Sequence, residues 1–486
     1  MSESYDFIVI GGGSAGLVAA GGSATLGAKV ALIEKRALGG DCLYTGCVPS
    51  KTLIRSARFA AELERAETFG FETVANVKFK NDSFASVTNR VQNVIKTIEI
   101  KDSPAAFEKM GVEVILGSAR FLNPHEIEVS LKDSGEKRVM KARRFCIATG
   151  SSATIPNIEG LRETGFITND NVFELKELPR KLVVIGGGAI GLEIGQSFAR
   201  FGSRVTVIES GKRILSKEDE EVSDFMTKTF RAENIEILTE TKIIKTRISD
   251  NVKFVTIEHN GERRDIETDE ILVATGRKPN LEGLDLEKAN VKFDAKRIET
   301  NEFLQTSTKH IFAAGDVTNH FQFTHTADYE AQVVIQNAFL FFGLRKKIDF
   351  RVVPWATFTE PEIARVGLTE KEARAKYGDK VKIYHANFDE NDRAQAEDKT
   401  TGFAKIICVG KKTVGTHIVG ANAGDLIHEF IVAMKHNLSV AQMNEAIHIY
   451  PTLSKITQQI GTEQTLETLK SPLVQKLFAF YMKFWR

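Results

Sequence analysis

The pattern that most restricts this chain is a strand, a glycine turn, a helix and a second strand closed by an acid, and it occurs twice. In the first copy Phe7-Ile8-Val9-Ile10 is continuously apolar, as a strand buried on both faces is. Gly11, Gly13 and Gly16 follow at once as G-x-G-x-x-G. A helical pattern then runs from Leu17 to Leu26, and the strand Lys29-Val30-Ala31-Leu32-Ile33 ends in Glu34. In the second copy Lys181-Leu182-Val183-Val184-Ile185 precedes Gly186, Gly188 and Gly191, and Arg204-Val205-Thr206-Val207-Ile208 ends at Glu209. Glycines so placed permit a tight turn, close approach of a pyrophosphate, and close packing of helix on strand. The helix N-terminus then faces the phosphates, and the strand-end carboxylate can hold a ribose hydroxyl pair. A lone G-x-G-x-x-G says little. With strand, helix and acid in place, and twice in one chain, it argues for two dinucleotide sites. A carboxylate at Glu209 accepts from a ribose 2′-hydroxyl and repels a 2′-phosphate, so NADH is preferred over NADPH. Lys212 and Arg213 are the nearby groups that would reverse this.

At 486 residues the chain is too long for one core, and about three domains are expected. Its 65 basic and 64 acidic residues leave a net charge of +1, so a nucleic-acid partner is not expected. Four cysteines form no disulfide framework and fit a reducing, cytoplasmic setting. Met1-Ser2-Glu3-Ser4-Tyr5-Asp6 has no basic start, so no signal peptide is expected. No apolar run reaches the ~18 residues of a membrane span.

Between the two copies lies Gly39-Gly40-Asp41-Cys42-Leu43-Tyr44-Thr45-Gly46-Cys47-Val48-Pro49-Ser50-Lys51, with two of the four cysteines. On a helix, residues five apart lie over one face without eclipsing, so modest distortion would bring the sulfurs together. A bridge closing so short a loop restricts the unfolded chain little, so stapling is a poor reason for one. The alternative is a pair of small unpaired hydrophobes. Ser56 to Asp102 reads as two long charged helices joined by a loop. Strands recur at 111–121, at 145–151, buried around Cys146, and at Ile311 to Asp316, and the second copy closes with Ile271 to Asn280 through Gly276. Lys51 lies one turn beyond Cys47 on the same face, and Glu193 opens the second copy's helix; each alone would be a solvated charge. From Arg351 the pattern becomes alternating strands, with Cys408 in their core.

Gly-Gly-x-Cys-x4-Cys-Val-Pro-Ser-Lys after a dinucleotide signature resembles the redox site of the flavoprotein disulfide reductases, the family of lipoamide dehydrogenase, glutathione reductase and mercuric reductase. The resemblance covers about residues 5 to 465. It implies an α/β fold of two Rossmann-like dinucleotide-binding domains plus a C-terminal α+β dimerisation domain. The expected boundaries are 1–155 and 281–350 for FAD, 156–280 for NAD, 351–465 for dimerisation and 466–486 for a tail. Within this resemblance Cys42 and Cys47 form a redox-active disulfide, Cys47 nearer the flavin and Cys42 exchanging with the acceptor. Lys51 and Glu193 form a buried ion pair beside the flavin. Ala119 contacts the adenine through its backbone, Asp316 holds the ribityl chain, and a helix from near Thr324 points its positive end at the ring. Electrons would pass from NADH through FAD to Cys42–Cys47 and on to a disulfide, a metal ion or a related acceptor, in a homodimer with no resident metal. A membrane-associated flavoprotein passing electrons directly to a quinone or protein partner is the competing class, and a redox sensor a third.

Two places depart from that family. Where lipoamide dehydrogenase and glutathione reductase carry His-Pro-Thr-x-x-Glu, a general-base dyad, this chain reads Tyr450-Pro451-Thr452-Leu453-Ser454-Lys455. A tyrosine near its ordinary pKa of about 10 is a poor base at neutral pH. His448 either substitutes as the base or is structural. Tyr-x-Thr at this place resembles mercuric reductase, but the C-terminal cysteine pair through which that enzyme delivers Hg(II) is missing, since no cysteine follows Cys408. The second departure is the tail, where Leu473, Val474, Leu477, Phe478, Phe480, Tyr481, Phe484 and Trp485 share roughly 160° of a helical wheel. Gln475, Lys476, Lys483 and Arg486 lie opposite. A helix from about Ser471 to Arg486 would lie on a membrane surface or dock on the protein itself.

Overall fold

The computed structural model describes residues 3–72, 79, 80, 83–339 and 344–485. Part of the expected loop between the two long helices, and Arg486 of the tail, lie outside the described residues.

The chain divides into two compact units, Met1–Ser210 with Asn234–Ile348, and Gly211–Glu233 with Asp349–Arg486. In the first unit Glu3–Ile10 pairs in parallel with Val30–Glu34 on one side and Lys137–Ile147 on the other. Val112–Asn123 extends the sheet beyond Val30–Glu34, and Ile311–Ala313 beyond Lys137–Ile147. This is the doubly wound order that the continuous apolar runs require, because each strand is covered on both faces. Phe7, Ile8, Leu32, Phe145, Cys146 and Phe312 are all within 1 % of complete burial. Each such large apolar side chain contributes about 1.5–3 kcal/mol through burial. The second glycine copy builds its own four-stranded parallel sheet from Lys181–Ile185, Arg204–Ile208, Glu236–Leu238 and Glu270–Val273.

The second unit holds a five-stranded antiparallel sheet of Pro354–Thr357, Glu362–Gly367, Lys412–Gly420, Phe403–Val409 and Val381–Asn387, in that order. Ile427 and Phe430 of helix Ala423–His436 and Ile456 and Ile460 of helix Lys455–Leu469 close its core, where Cys408 is fully buried. Helix Glu220–Ala232 groups with this unit rather than with the sheet that precedes it in sequence. The reason is electrostatic: Lys405, 3 % exposed, draws in Asp219 and Glu221 at 2.9 Å each.

Candidate active site

The glycine turns are sterically explicit. A Cβ on Gly11 would stand 2.3 Å from the Ala148 carbonyl oxygen, and one on Gly16 1.8 Å from that of Gly11. The second copy repeats this, with Gly186 2.4 Å from the Ala274 oxygen and Gly191 2.3 Å from that of Gly186. The middle glycines are open instead. Beside Gly13 the nearest atom is 4.0 Å away, and beside Gly188 nothing lies within 4 Å. Each turn is therefore packed by protein on two glycines and bare on the third, where a pyrophosphate needs to approach.

Both strand-end acids reach back to these turns. Glu34 Oε2 accepts from Gly12 N at 2.7 Å, and Glu209 Oε2 from Gly187 N at 2.8 Å. Glu34 Oε1 also accepts from Arg36 N at 2.6 Å. Each carboxylate is thus fixed in place, and its remaining lone pairs can still accept from a ribose. Beyond Glu34 a cleft of about 320 Å³ is lined by Arg36, Leu38, Tyr44, Lys96 and Leu116, a size usual for small-molecule sites. Ala119 sits buried on Val112–Asn123 with its backbone in the ladder opposite Val129. These cradles fit dinucleotides.

The cysteine stretch is docked on the first turn. Gly39 and Gly40 have φ of 104° and 58°, a conformation that favours glycine. Gly39 N donates to Gly12 O at 2.9 Å, and a Cβ on Gly40 would lie 2.7 Å from Gly13 Cα. The expected single helix across both cysteines does not form. Cys42 belongs to Gly40–Tyr44, whereas Cys47 is the first residue of Cys47–Glu64. The chain breaks at Thr45-Gly46, where a Cβ on Gly46 would meet the Asp41 oxygen at 2.9 Å. This break, not helical stagger, brings the sulfurs together.

Cys42 and Cys47 stand side by side at the helix break as free cysteines, the reduced state of such a pair. Hydrogen bonding from Cys42 draws the Cys47 pKa down to about 6 against the opposing effect of burial. Thr324 Oγ1, 3.2 Å from Cys47 Sγ, and the Lys51 charge act in the same direction. The first-turn position on an 18-residue helix favours the thiolate as well. The same Cys42–Cys47 bond, with burial, pushes Cys42 far above the ordinary thiol range. The surroundings favour the thiolate at Cys47 and the protonated thiol at Cys42.

Lys51 Nζ lies 2.9 Å from Glu193 Oε2, joining helix Cys47–Glu64 to helix Ala189–Arg200. The pair is less buried than expected, because Lys51 is 36 % exposed beside a 6 % exposed Glu193. Helix Thr324–Phe339 begins at the residue that touches Cys47. Asp316 is nearly buried, and burial raises its pKa despite a 2.5 Å hydrogen bond from Ser151 Oγ and the nearby Arg277 charge.

Sequence reasoning missed Arg277 and Asp41. Arg277 Nη2 lies 3.3 Å from Asp41 Oδ2, next to Cys42, while its Nε donates to Ser151 Oγ at 2.8 Å. Asn169 Nδ2 donates to Asp41 Oδ1 at 3.1 Å and to Thr45 O at 3.2 Å, bracing the helix break. The signal was the arginine straight after Gly276, whose φ of 127° turns the chain into the short strand Arg277–Pro279 paired with Ser151–Ala153.

In the C-terminal unit both ring nitrogens of His448 face acceptors. Nδ1 lies 2.9 Å from Ala446 O and Nε2 2.9 Å from Glu429 Oε1. Tyr450 is 66 % exposed, and its hydroxyl donates to Asp392 Oδ2 at 3.1 Å, which raises its pKa further from that of a base. Lys455 bonds Gln458.

Residues 5–331 match the family model described as pyridine nucleotide-disulphide oxidoreductase, and 353–460 match that family's dimerisation domain. The chain is 38 % identical over 461 residues to a mercuric reductase of Bacillus cereus, covering 93 % of this chain and 70 % of that one. It is 34 % identical over 470 residues to dihydrolipoyl dehydrogenase of Bacillus subtilis, covering 94 % and 97 %. Among solved structures, the Cu(II) complex of the HOCl-induced flavoprotein disulfide reductase RclA from Escherichia coli superposes with a TM-score of 0.85 at 26 % identity, covering 95 % of this chain and 100 % of that one.

Proposed function

The chain belongs to the pyridine nucleotide-disulphide oxidoreductases, and from that premise we propose that its Cys42–Cys47 dithiol delivers electrons to a soft metal ion taken as substrate. The observation that carries this reading is the replacement of the usual base. Tyr450 is held protonated by Asp392, and His448 has both nitrogens tied within its own protomer. Exchange with an organic dithiol or disulfide needs a group to take or give a proton at the substrate sulfur. A metal ion brings no substrate thiol to deprotonate, and the one proton released, that of Cys42, passes to solvent as the ion binds its sulfur. Thiolates favour soft metals, and two thiolates can give up two electrons as an S–S bond forms, reducing one ion by two charges or two ions by one each. The mercuric reductase relatives and the Cu(II)-complexed neighbour accord with this chemistry.

The residues divide the work. Gly11, Gly13, Gly16, Glu34 and Asp316 would hold FAD, which supplies the two-electron carrier between nicotinamide and dithiol when bound. Gly186, Gly188, Gly191 and Glu209 would hold the nicotinamide dinucleotide, preferentially NADH. Arg213, which could otherwise attract a 2′-phosphate, is engaged by Asp224 at 2.9 Å and Glu220 at 3.6 Å. Lys51 and Thr324 keep Cys47 ionised, and Arg277 offsets the Asp41 charge beside Cys42. The chain carries the family's dimerisation domain and acts as a homodimer. No described helix is long and apolar enough to cross a membrane. Peripheral membrane contact through residues 471–486 completes the reading.

Anaerobic NADH oxidation by the FAD-loaded enzyme tests the acceptor. Cu(II) or Hg(II) should support turnover that Cys42→Ser abolishes. Turnover with lipoamide or glutathione disulfide exceeding that with either metal would overturn the proposal, as would an undiminished rate in Cys42→Ser.

A further inference from the structure

The helix Pro472–Trp485 has no buried residue. Leu473, Leu477, Phe478, Phe480, Tyr481, Phe484 and Trp485 are each between 54 % and 74 % exposed, so the alternative in which this face docks on its own protomer is not what the structure shows. Such a contiguous apolar face marks an interaction surface. Its aromatic rings already meet along the helix, Phe480 and Phe484 at 5.1 Å and Tyr481 and Trp485 at 6.4 Å. Lys476 and Lys483 project from the other side. No acidic residue follows Glu467, while Lys470, Lys476, Lys483 and Arg486 do. At 14 residues the helix is about 21 Å long, short of the ~30 Å hydrocarbon layer, so it can lie in a bilayer surface but not cross it.

We infer that this helix seats the enzyme on an anionic lipid bilayer, with the aromatic face at the acyl boundary and the lysines among acidic headgroups; this rests on the peripheral contact proposed above. The charge pattern selects the lipid. Tryptophan and tyrosine suit the boundary itself, and basic groups on the polar face are attracted to acidic headgroups. A protein partner would have to cover a face of five aromatic side chains while leaving the lysines outside, whereas a membrane surface accommodates both at once. In the homodimer two tails act together, so a modest affinity of each becomes firm attachment.

Flotation of the FAD-loaded full-length enzyme with vesicles of phosphatidylcholine alone, or containing phosphatidylglycerol, tests the inference. Flotation should require the anionic lipid. It should fall at least about thirtyfold in Lys476→Glu/Lys483→Glu, and collapse in Phe480→Ser/Phe484→Ser and in a chain ending at Lys470. NADH oxidation with a soluble acceptor should not change in these variants. Equal flotation on neutral and anionic vesicles would overturn the lipid choice while leaving membrane contact standing. Absence of flotation on either would overturn both. Loss of the dimer in the point variants would make the helix an interface between copies and overturn the inference.

Discussion

The Cys47 sulfur lies 3.2 Å from the Thr324 hydroxyl, so the first residue of one helix touches the first residue of another across 277 positions of sequence. Two helix N-termini and one hydroxyl converge on a single sulfur, an arrangement that stabilises a thiolate.

Thr324→Val keeps the shape and removes the donor. A thiolate losing a hydrogen bond becomes harder to form, so the Cys47 pKa should rise from about 6 by on the order of one unit. The pH dependence of iodoacetamide alkylation in the reduced enzyme measures it. An unmoved midpoint would show that the hydroxyl contributes nothing to the thiolate.

The two cysteines should separate functionally. Cys42→Ser should lower acceptor turnover at least about a hundredfold while retaining the long-wavelength absorbance that a Cys47 thiolate gives beside oxidised flavin. Cys47→Ser should lose that band. Retention of the band in Cys47→Ser would assign the thiolate to the wrong sulfur.

Lys51→Met removes the cation nearest Glu193. A fully buried pair broken in this way costs about 3–5 kcal/mol, and the exposure of Lys51 reduces the expected loss to about 2 kcal/mol. The double variant Lys51→Met/Glu193→Gln should be less destabilised than the sum of the singles by about 1 kcal/mol, measured by urea denaturation. Strict additivity would mean the contact carries no coupling.

The glycine turns were legible because their requirement is local and steric: nothing larger fits where a Cβ would strike the Ala148 or Ala274 carbonyl. The Cys42–Cys47 stretch was legible as a motif but not as geometry. Helical periodicity assumes an unbroken helix, and the break at Thr45-Gly46 depends on Asn169, far along the chain. Arg277 with Asp41, and Lys405 with Asp219, were hidden for the same reason, since no spacing rule links charges so distant in sequence. The tail's amphipathic face was fully legible, being a property of one helix.

We propose that Glu209 sets the nicotinamide preference. With its carboxylate fixed by Gly187 N and Arg213 engaged by Asp224, NADH should exceed NADPH in kcat/KM by at least about tenfold, or roughly 1.4 kcal/mol. Glu209→Ala should narrow the ratio by relieving repulsion of the 2′-phosphate. Equal kcat/KM values in the unaltered enzyme would remove the argument.

Lys405 gives the C-terminal unit a defined response to acid. Its ammonium, 3 % exposed, meets Asp219 and Glu221 at 2.9 Å and Glu370 at 2.7 Å. Burial opposes its charge, and these three hydrogen-bonded carboxylates outweigh that effect. Glu221 is in turn held down to about 2, first by its bond to His385 and then by Lys405. A carboxylate whose folded pKa lies below its unfolded value of about 4.3 stabilises the fold above that pH, and the contribution is lost as pH falls toward 2. Lys405→Met should therefore lower stability by about 3–5 kcal/mol at pH 7 and by clearly less at pH 3, where the unfolded chain and the folded variant take up protons that the carboxylates around Lys405 still exclude in the unaltered fold. Thermal melts of both proteins at pH 7, 4 and 3 would show the gap narrowing. A Tm difference that stays constant across that range would mean Lys405 acts by packing its methylene stem rather than by its charge.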